Sequence, residues 1–151
     1  MACTEMRIMV SPWNRSWTNF AVADTVIFDT DVLIWAQKHD LRAMEYVGDV
    51  DEKAISIITY MELLHGSTSP TQLRMVKDFL SDAVFEVLPI TEKIGHRALV
   101  YVEEHAVSRG LRALDAFIAA TAVENNRLLV SANYKHFQGI PELKFRRFKP
   151  F

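Results

Sequence analysis

The 151-residue chain predicts an α/β fold, with a mainly parallel central sheet flanked on both faces by helices. Three observations lead there. Strand-like runs alternate with helix-like stretches from about Thr25 onward. Each strand-like run is nearly continuous in apolar residues, as a strand covered on both faces must be, instead of alternating apolar with polar. The composition, 50% hydrophobic and 24% charged, is that of a globular chain long enough to bury a core.

The elements follow in order. Residues 1–23, "MACTEMRIMVSPWNRSWTNFAVA", form an N-terminal extension to a domain over 24–151. No basic leader precedes a sustained apolar region, so no secretory signal is expected. Ser11-Pro12 suits the start of a short helix carrying Trp13, Trp17 and Phe20 on one face, and a disordered extension is the other reading. "TVIFD" reads as the first strand, and "VLIWAQK" and "LRAMEYV" as helical pieces around "HD". "KAISIIT" is a second, β-branched strand, and "YMELLHG" a helix closed by Gly66. "SPTQLRMVKDFLSDA" places Pro70 in a first helical turn and Leu73, Val76, Phe79 and Leu80 on one stripe. After the short strand "VFEVLP", Thr91 caps a long helix with Ile94, Ala98, Tyr101, Val102 and His105 on one side, ending near Gly110. "ALDAFIAATAVENN" is a further helix, "RLLVSA" a strand, and "LKFRRF" a candidate last strand.

In parallel sheets, working residues gather at the carboxyl ends of the strands. Asp29 ends the first strand, Glu62 lies in the first turn after the second, and Asp115 stands near the start of the helix "DAFIAATA". Three converging carboxylates repel one another unless a cation or protons intervene. A hard divalent ion such as Mg2+ or Mn2+ resolves the conflict, because it prefers oxygen ligands. Simpler readings exist for each position. Thr59-Tyr60-Met61-Glu62 matches a capping box, Asp31 suits the cap of a helix beginning at Val32 or Leu33, and Asp115 favours a helix dipole. Asp29 is the hardest to explain away, having no local basic partner.

The bulk numbers exclude other chemistries. A net charge of −2 gives no global basic field, so nucleic-acid binding needs a local patch or a bridging metal. Basic residues do collect late in the chain, with Arg127, Lys135, Lys144, Arg146, Arg147 and Lys149 set against the single acid Glu142, while Arg109 and Arg112 flank the approach to Asp115. The single cysteine, Cys3, rules out an internal disulfide framework and a Cys-rich zinc site. That usage fits a reducing compartment, and with no apolar run long enough to span a bilayer a cytoplasmic location is expected. The five histidines show neither H-E-x-x-H nor Cys-paired spacing. His105 reads as a core or boundary residue, and His136 as a candidate for phosphate contact or ligation.

"VIFDTDVLIWAQK", "ISIITYMELLHGS" and "LRALDAFIAATAVENNRLLVSANYKHFQGIPELKF", in that order, resemble a PIN-domain ribonuclease of the VapC toxin type. The resemblance runs from about Thr25 to the C-terminus. It implies a three-layer α/β/α PIN-like fold and a metal-dependent endoribonuclease, the toxin of a type II toxin–antitoxin pair. Asp29, Glu62 and Asp115 then correspond to the catalytic, metal-holding acids, with Mg2+ or Mn2+ as cofactor. The segment "LLVSANYKHF" corresponds to the one that usually supplies a fourth acid. Here it offers Asn133, suited to holding a water, Ser131, suited to assisting a phosphate, and His136. Thr30, Asp31 and Arg112 join these as accessory or substrate-binding candidates. The resemblance also implies an RNA substrate, a small antitoxin with an apolar segment lying in a groove, and a homodimer; no membrane partner is implied.

Two rivals remain. Asp29-Thr30-Asp31 after an apolar strand also resembles the D-x-D opening of haloacid-dehalogenase-like phosphotransferases. That mechanism needs a downstream acidic pair for Mg2+, and after Asp115 the acids are Glu124 and Glu142 only. The other rival is a catalytically inactive PIN scaffold that binds RNA or a protein, for which the missing fourth acid speaks.

Overall fold

The computed structural model describes residues 25–150, so the helix expected around Trp13, Trp17 and Phe20 lies outside the described residues. The described chain runs β1 (Val26–Phe28), α1 (Thr30–Gln37), α2 (Leu41–Asp49), β2 (Lys53–Ser56), α3 (Ile57–His65), α4 (Pro70–Asp82) and β3 (Glu86–Leu88). It continues through α5 (Glu92–Arg109), α6 (Ala113–Glu124), β4 (Leu128–Ser131), α7 (Tyr134–Phe137) and β5 (Phe145–Arg147).

The strands form one sheet in the order β3-β2-β1-β4-β5, every pairing parallel. Side chains leave a strand on alternate faces, and the two cores divide accordingly. Val26, Phe28, Ile55 and Val130 meet α1, α2, α3 and α4 on one face. Ile27, Ala54 and Leu129 meet α5, α6 and α7 on the other. This is the three-layer α/β/α arrangement of a PIN-like fold. Phe28 is fully buried, edge-on to Tyr46 at 5.8 Å and to Phe85 at 5.9 Å. In α6, Ala116, Ala119, Ala120 and Ala122 are fully buried, and their small side chains let the helix lie close on the sheet.

Helix ends follow local chemistry. Asp40, Ser69 and Thr91 accept from backbone N–H groups at the starts of α2, α4 and α5. Gly110 closes α5 at φ 69°, a left-handed turn that glycine adopts without steric cost. Val84, between α4 and β3, also sits at positive φ (57°), with its side chain in solvent.

Three expectations need correction. The second strand is shorter than "KAISIIT": it stops at Ser56, whose Oγ accepts the Ile58 N–H and starts α3 there. The capping box at Thr59 is therefore absent, and Glu62 lies in the second turn of α3 instead of the first. Likewise α1 starts at Thr30 with Asp29 as its cap, so Asp31 is not the capping residue. The four-residue helix α7 was not anticipated by sequence pattern.

From β1 the chain winds outward through β2 to β3, then crosses to β4 on the other side of β1. The β1/β4 boundary is thus where the winding reverses, and a crevice opens beyond the strand ends at such a point. Asp29 follows β1 there, and Ser131 ends β4.

Candidate active site

The Asp29 backbone N–H donates to Val130 O at 3.0 Å, so the residue is still tied to the sheet as the chain turns into α1. Its carboxylate is almost wholly buried: Oδ1 accepts the Thr30 N–H at 2.7 Å and Oδ2 the Ser131 hydroxyl at 2.7 Å. Asp31 Oδ2 accepts the Ala132 N–H at 3.0 Å and lies 3.2 Å from the same Ser131 Oγ. Ser131 has one proton for two carboxylates, and the shorter contact gives it to Asp29. Asp31 Oδ1 is buried with no hydrogen-bond partner.

Glu62, on α3, accepts the Thr30 hydroxyl through Oε2. Thr30 therefore holds Asp29 with its backbone and Glu62 with its side chain. Asp115, in the first turn of α6, has Oδ2 2.7 Å from His136 Nδ1, and Asn133 Nδ2 is 2.7 Å from the same ring nitrogen. One Nδ1 cannot donate to the carboxylate and accept from the amide together; the carboxylate is the stronger claim on its proton. Asn133 N–H donates to Ser131 Oγ at 2.9 Å. The contacts thus run without a break from Glu62 through Thr30, Asp29, Ser131, Asn133 and His136 to Asp115.

The electrostatics are those of crowded carboxylates. Burial, then the charge of Asp31, pushes the Asp29 carboxyl up to about 8 against the pull of its Ser131 and Thr30 hydrogen bonds, with Asp115 adding to the rise. Burial also raises Asp31, opposed by donors from Ser131 and Ala132. No Lys or Arg among the described residues forms an ion pair with Asp29, Asp31, Glu62 or Asp115.

Among the described residues no three His, Cys, Asp or Glu side chains form a ready-made group for a metal ion. The donor chemistry nevertheless fits a hard divalent cation. The oxygens are carboxylates with no Lys or Arg counter-charge among the described residues, and Asp31 Oδ1 is a buried acceptor left unsatisfied. The Thr30 hydroxyl and the His136 ring each engage one oxygen of Glu62 and Asp115, which leaves the second oxygen of each carboxylate for a cation.

Other expected participants divide. Ser131 is fully buried and bonded to Asp29, so it positions a carboxylate instead of facing a phosphate. Arg112 occupies the N-cap position of α6 with an exposed side chain that makes no cap bond. Arg127 is 2.7 Å from Glu86, and Arg109 donates to Gln138 O at 2.5 Å, so these two anchor structure. His105 is a boundary residue whose Nε2 is buried without a hydrogen bond. The link from Asp31 to Ser131 and Ala132 was missed in the sequence; the D-T-D spacing was its only signal.

A groove of about 840 Å3 lies beside this cluster, and Glu62 is the one site acid that lines it. Its wall is largely apolar, including Ile34, Met44, Val47, Met75 and Phe79 from α1, α2 and α4. Among the described residues no helix is long and apolar enough to cross a membrane.

Comparison with known proteins matches residues 26–143 to the PIN domain family. Ribonuclease VapC1 of Methanocaldococcus jannaschii is 33% identical over 119 residues, covering 78% of this chain and 82% of that protein. A toxin–antitoxin complex from Klebsiella pneumoniae contains a chain 30% identical, with a TM-score of 0.67, over 78% of this chain and 94% of that one. In VapBC2 from Rickettsia felis, solved bound to a DNA fragment from its promoter, the matching chain is 26% identical with a TM-score of 0.68, over 82% and 98%.

Proposed function

The chain belongs to the PIN-domain family and is of its VapC type, and from that premise we propose that it is a metal-dependent endoribonuclease, the toxin of a type II toxin–antitoxin pair. One observation carries the reading: Asp29, Glu62 and Asp115, far apart in the chain, are linked by one run of side-chain contacts at the β1/β4 switch point, with no Lys or Arg among the described residues paired to them.

In this reading Asp29, Glu62 and Asp115 hold Mg2+ or Mn2+. The bound ion supplies positive charge that offsets the three carboxylates and stabilises charge developing on the scissile phosphate. The protein's own groups do the rest. Thr30 and Ser131 fix both oxygens of Asp29, and His136 orients Asp115. Because burial and the charge of Asp31 push the Asp29 carboxyl up to about 8, a cation held there near neutral pH would compete with its proton. An ionised carboxylate of the set then orients the attacking water or takes its proton. Single-stranded or looped RNA is the substrate class, since its backbone can enter a crevice.

The groove beside Glu62 suits an apolar segment of a small antitoxin, a role supported by relatives solved as toxin–antitoxin complexes. A second copy of the chain is the other protein partner in this reading.

A specific observation favours one alternative. The fourth-acid segment presents Asn133, and the acids are bonded within the protein instead of grouped for an ion, as in an inactive scaffold that binds RNA or protein. Cleavage of structured RNA with Mg2+ or Mn2+, and with EDTA, separates the two. The nuclease reading expects metal-dependent cleavage lost in Asp29→Asn; equal cleavage by wild type and variant sinks it, and no cleavage by either leaves the scaffold.

A further inference from the structure

Beyond Ser131 the chain turns through Ala132 and Asn133 into α7, whose first residue is Tyr134. Strand β5 flanks β4 at the open edge of the sheet, with Arg147 in register with Ser131. The Arg147 guanidinium carbon stands 5.8 Å over the Tyr134 ring, and the Phe145 ring lies 6.0 Å from it. Despite both contacts Tyr134 is 43% exposed. Arg147 is exposed too and forms no ion pair with a described acid. The Tyr134 N–H donates to Ala132 O at 3.0 Å, which fixes the start of α7 against the strand end.

An Arg over an aromatic ring is common on protein surfaces and by itself signifies little. The placement of this one is what matters. Tyr134 follows Asn133 directly, and Asn133 donates its N–H to Ser131 and touches the His136 ring. Arg147 sits one strand over from the residue that holds Asp29. The carboxylates of Asp29, Asp31, Glu62 and Asp115 repel a phosphate backbone, so a strand approaching them gains from a cation and a stacking surface beside them. An exposed aromatic face beside an unopposed guanidinium matches what unpaired nucleotides offer, a bare base and its phosphate.

We propose that Tyr134 and Arg147 form the subsite that holds the RNA strand at the rim of the acidic crevice, with a nucleobase stacked on the Tyr134 ring and the Arg147 guanidinium on the adjacent phosphate. This rests on the ribonuclease reading above. Paired bases have covered faces, so the subsite selects single-stranded over duplex RNA.

The test is fluorescence anisotropy of the full chain with a short labelled single-stranded oligoribonucleotide in EDTA, where no cleavage occurs. Tyr134→Leu keeps an apolar contact for Phe145 but has no ring, and is expected to bind about tenfold more weakly. Tyr134→Phe is expected to bind like wild type. Arg147→Ala is expected to weaken binding and lower the slope of log affinity against log salt by about 1. On a strand made abasic throughout, wild type and Tyr134→Leu should become alike. The subsite is overturned by equal binding of wild type and Tyr134→Leu, by a Tyr134→Phe as weak as the Leu variant, or by a Leu deficit that persists on the abasic strand. Thermal melts confirm that each variant is folded. Metal-dependent cleavage abolished by Asp29→Asn, together with unchanged binding by Tyr134→Leu, overturns the subsite and leaves the nuclease reading standing.

Discussion

Asp29 is a carboxyl group held almost out of water beside a second one, and its pH behaviour follows. In the ion-free protein the folded state keeps the Asp29 proton up to about 8, whereas the unfolded chain releases it near 3.8. The folded state binds more protons across that window, so stability falls as pH rises from about 4 to about 8 and stays low above it. The full shift would correspond to about 6 kcal/mol, and the cost is smaller because the carboxyl can rotate or admit water. Urea denaturation in EDTA should therefore give a higher midpoint near pH 5 than above pH 8, and Asp29→Asn should flatten the difference. Added Mg2+ should raise the wild-type midpoint most at the alkaline end. An unchanged pH profile in the Asn variant means another group sets the slope. The sequence made Asp29 conspicuous because a buried strand seldom ends in an acid without cause. It could not reveal that Ser131 and Ala132, about a hundred residues onward, donate to Asp29 and Asp31, since such pairing exists only after the sheet forms.

At the level of elements, α3 offers a direct contrast between two caps. Ser56 accepts the Ile58 N–H, whereas Thr59 Oγ1 is buried inside the helix with no hydrogen-bond partner. Ser56→Ala should lose about 1 kcal/mol of stability. Thr59→Val, which removes an unsatisfied hydroxyl at nearly constant shape, should be neutral or stabilising. The reverse ranking in denaturant titrations would restore the capping box at Thr59. The misreading had a physical origin. Ile57, Ile58 and Thr59 are β-branched and extend an apolar run, and nothing local marks the switch from strand to helix except a serine. Longer elements were legible because their ends carry chemistry, as with Thr91 and Gly110 around α5. The helix α7 escaped notice because four residues are too few to establish a helical period.

For the whole molecule, the parallel layered architecture was readable from alternating apolar runs, but the strand order was not. Placing β4 against β1 is a pairing across about a hundred residues, and no local pattern encodes it. That pairing creates the crevice, while on the same strand Phe28 is buried between Tyr46 and Phe85. Phe28→Ala should cost about 3–5 kcal/mol in denaturant stability. The loss should be accompanied by weaker RNA binding, because the cavity lies one residue from Asp29. A stable Phe28→Ala protein would mean that the core on that face repacks freely.

The valine at position 84 has a practical consequence. A β-branched side chain in a left-handed turn is strained, and this one lies in solvent without packing to offset it. Val84→Gly should relieve that local strain and raise the melting temperature by a few degrees, an increment of about 1 kcal/mol. It would give a sturdier background in which the costlier site variants could be purified and compared.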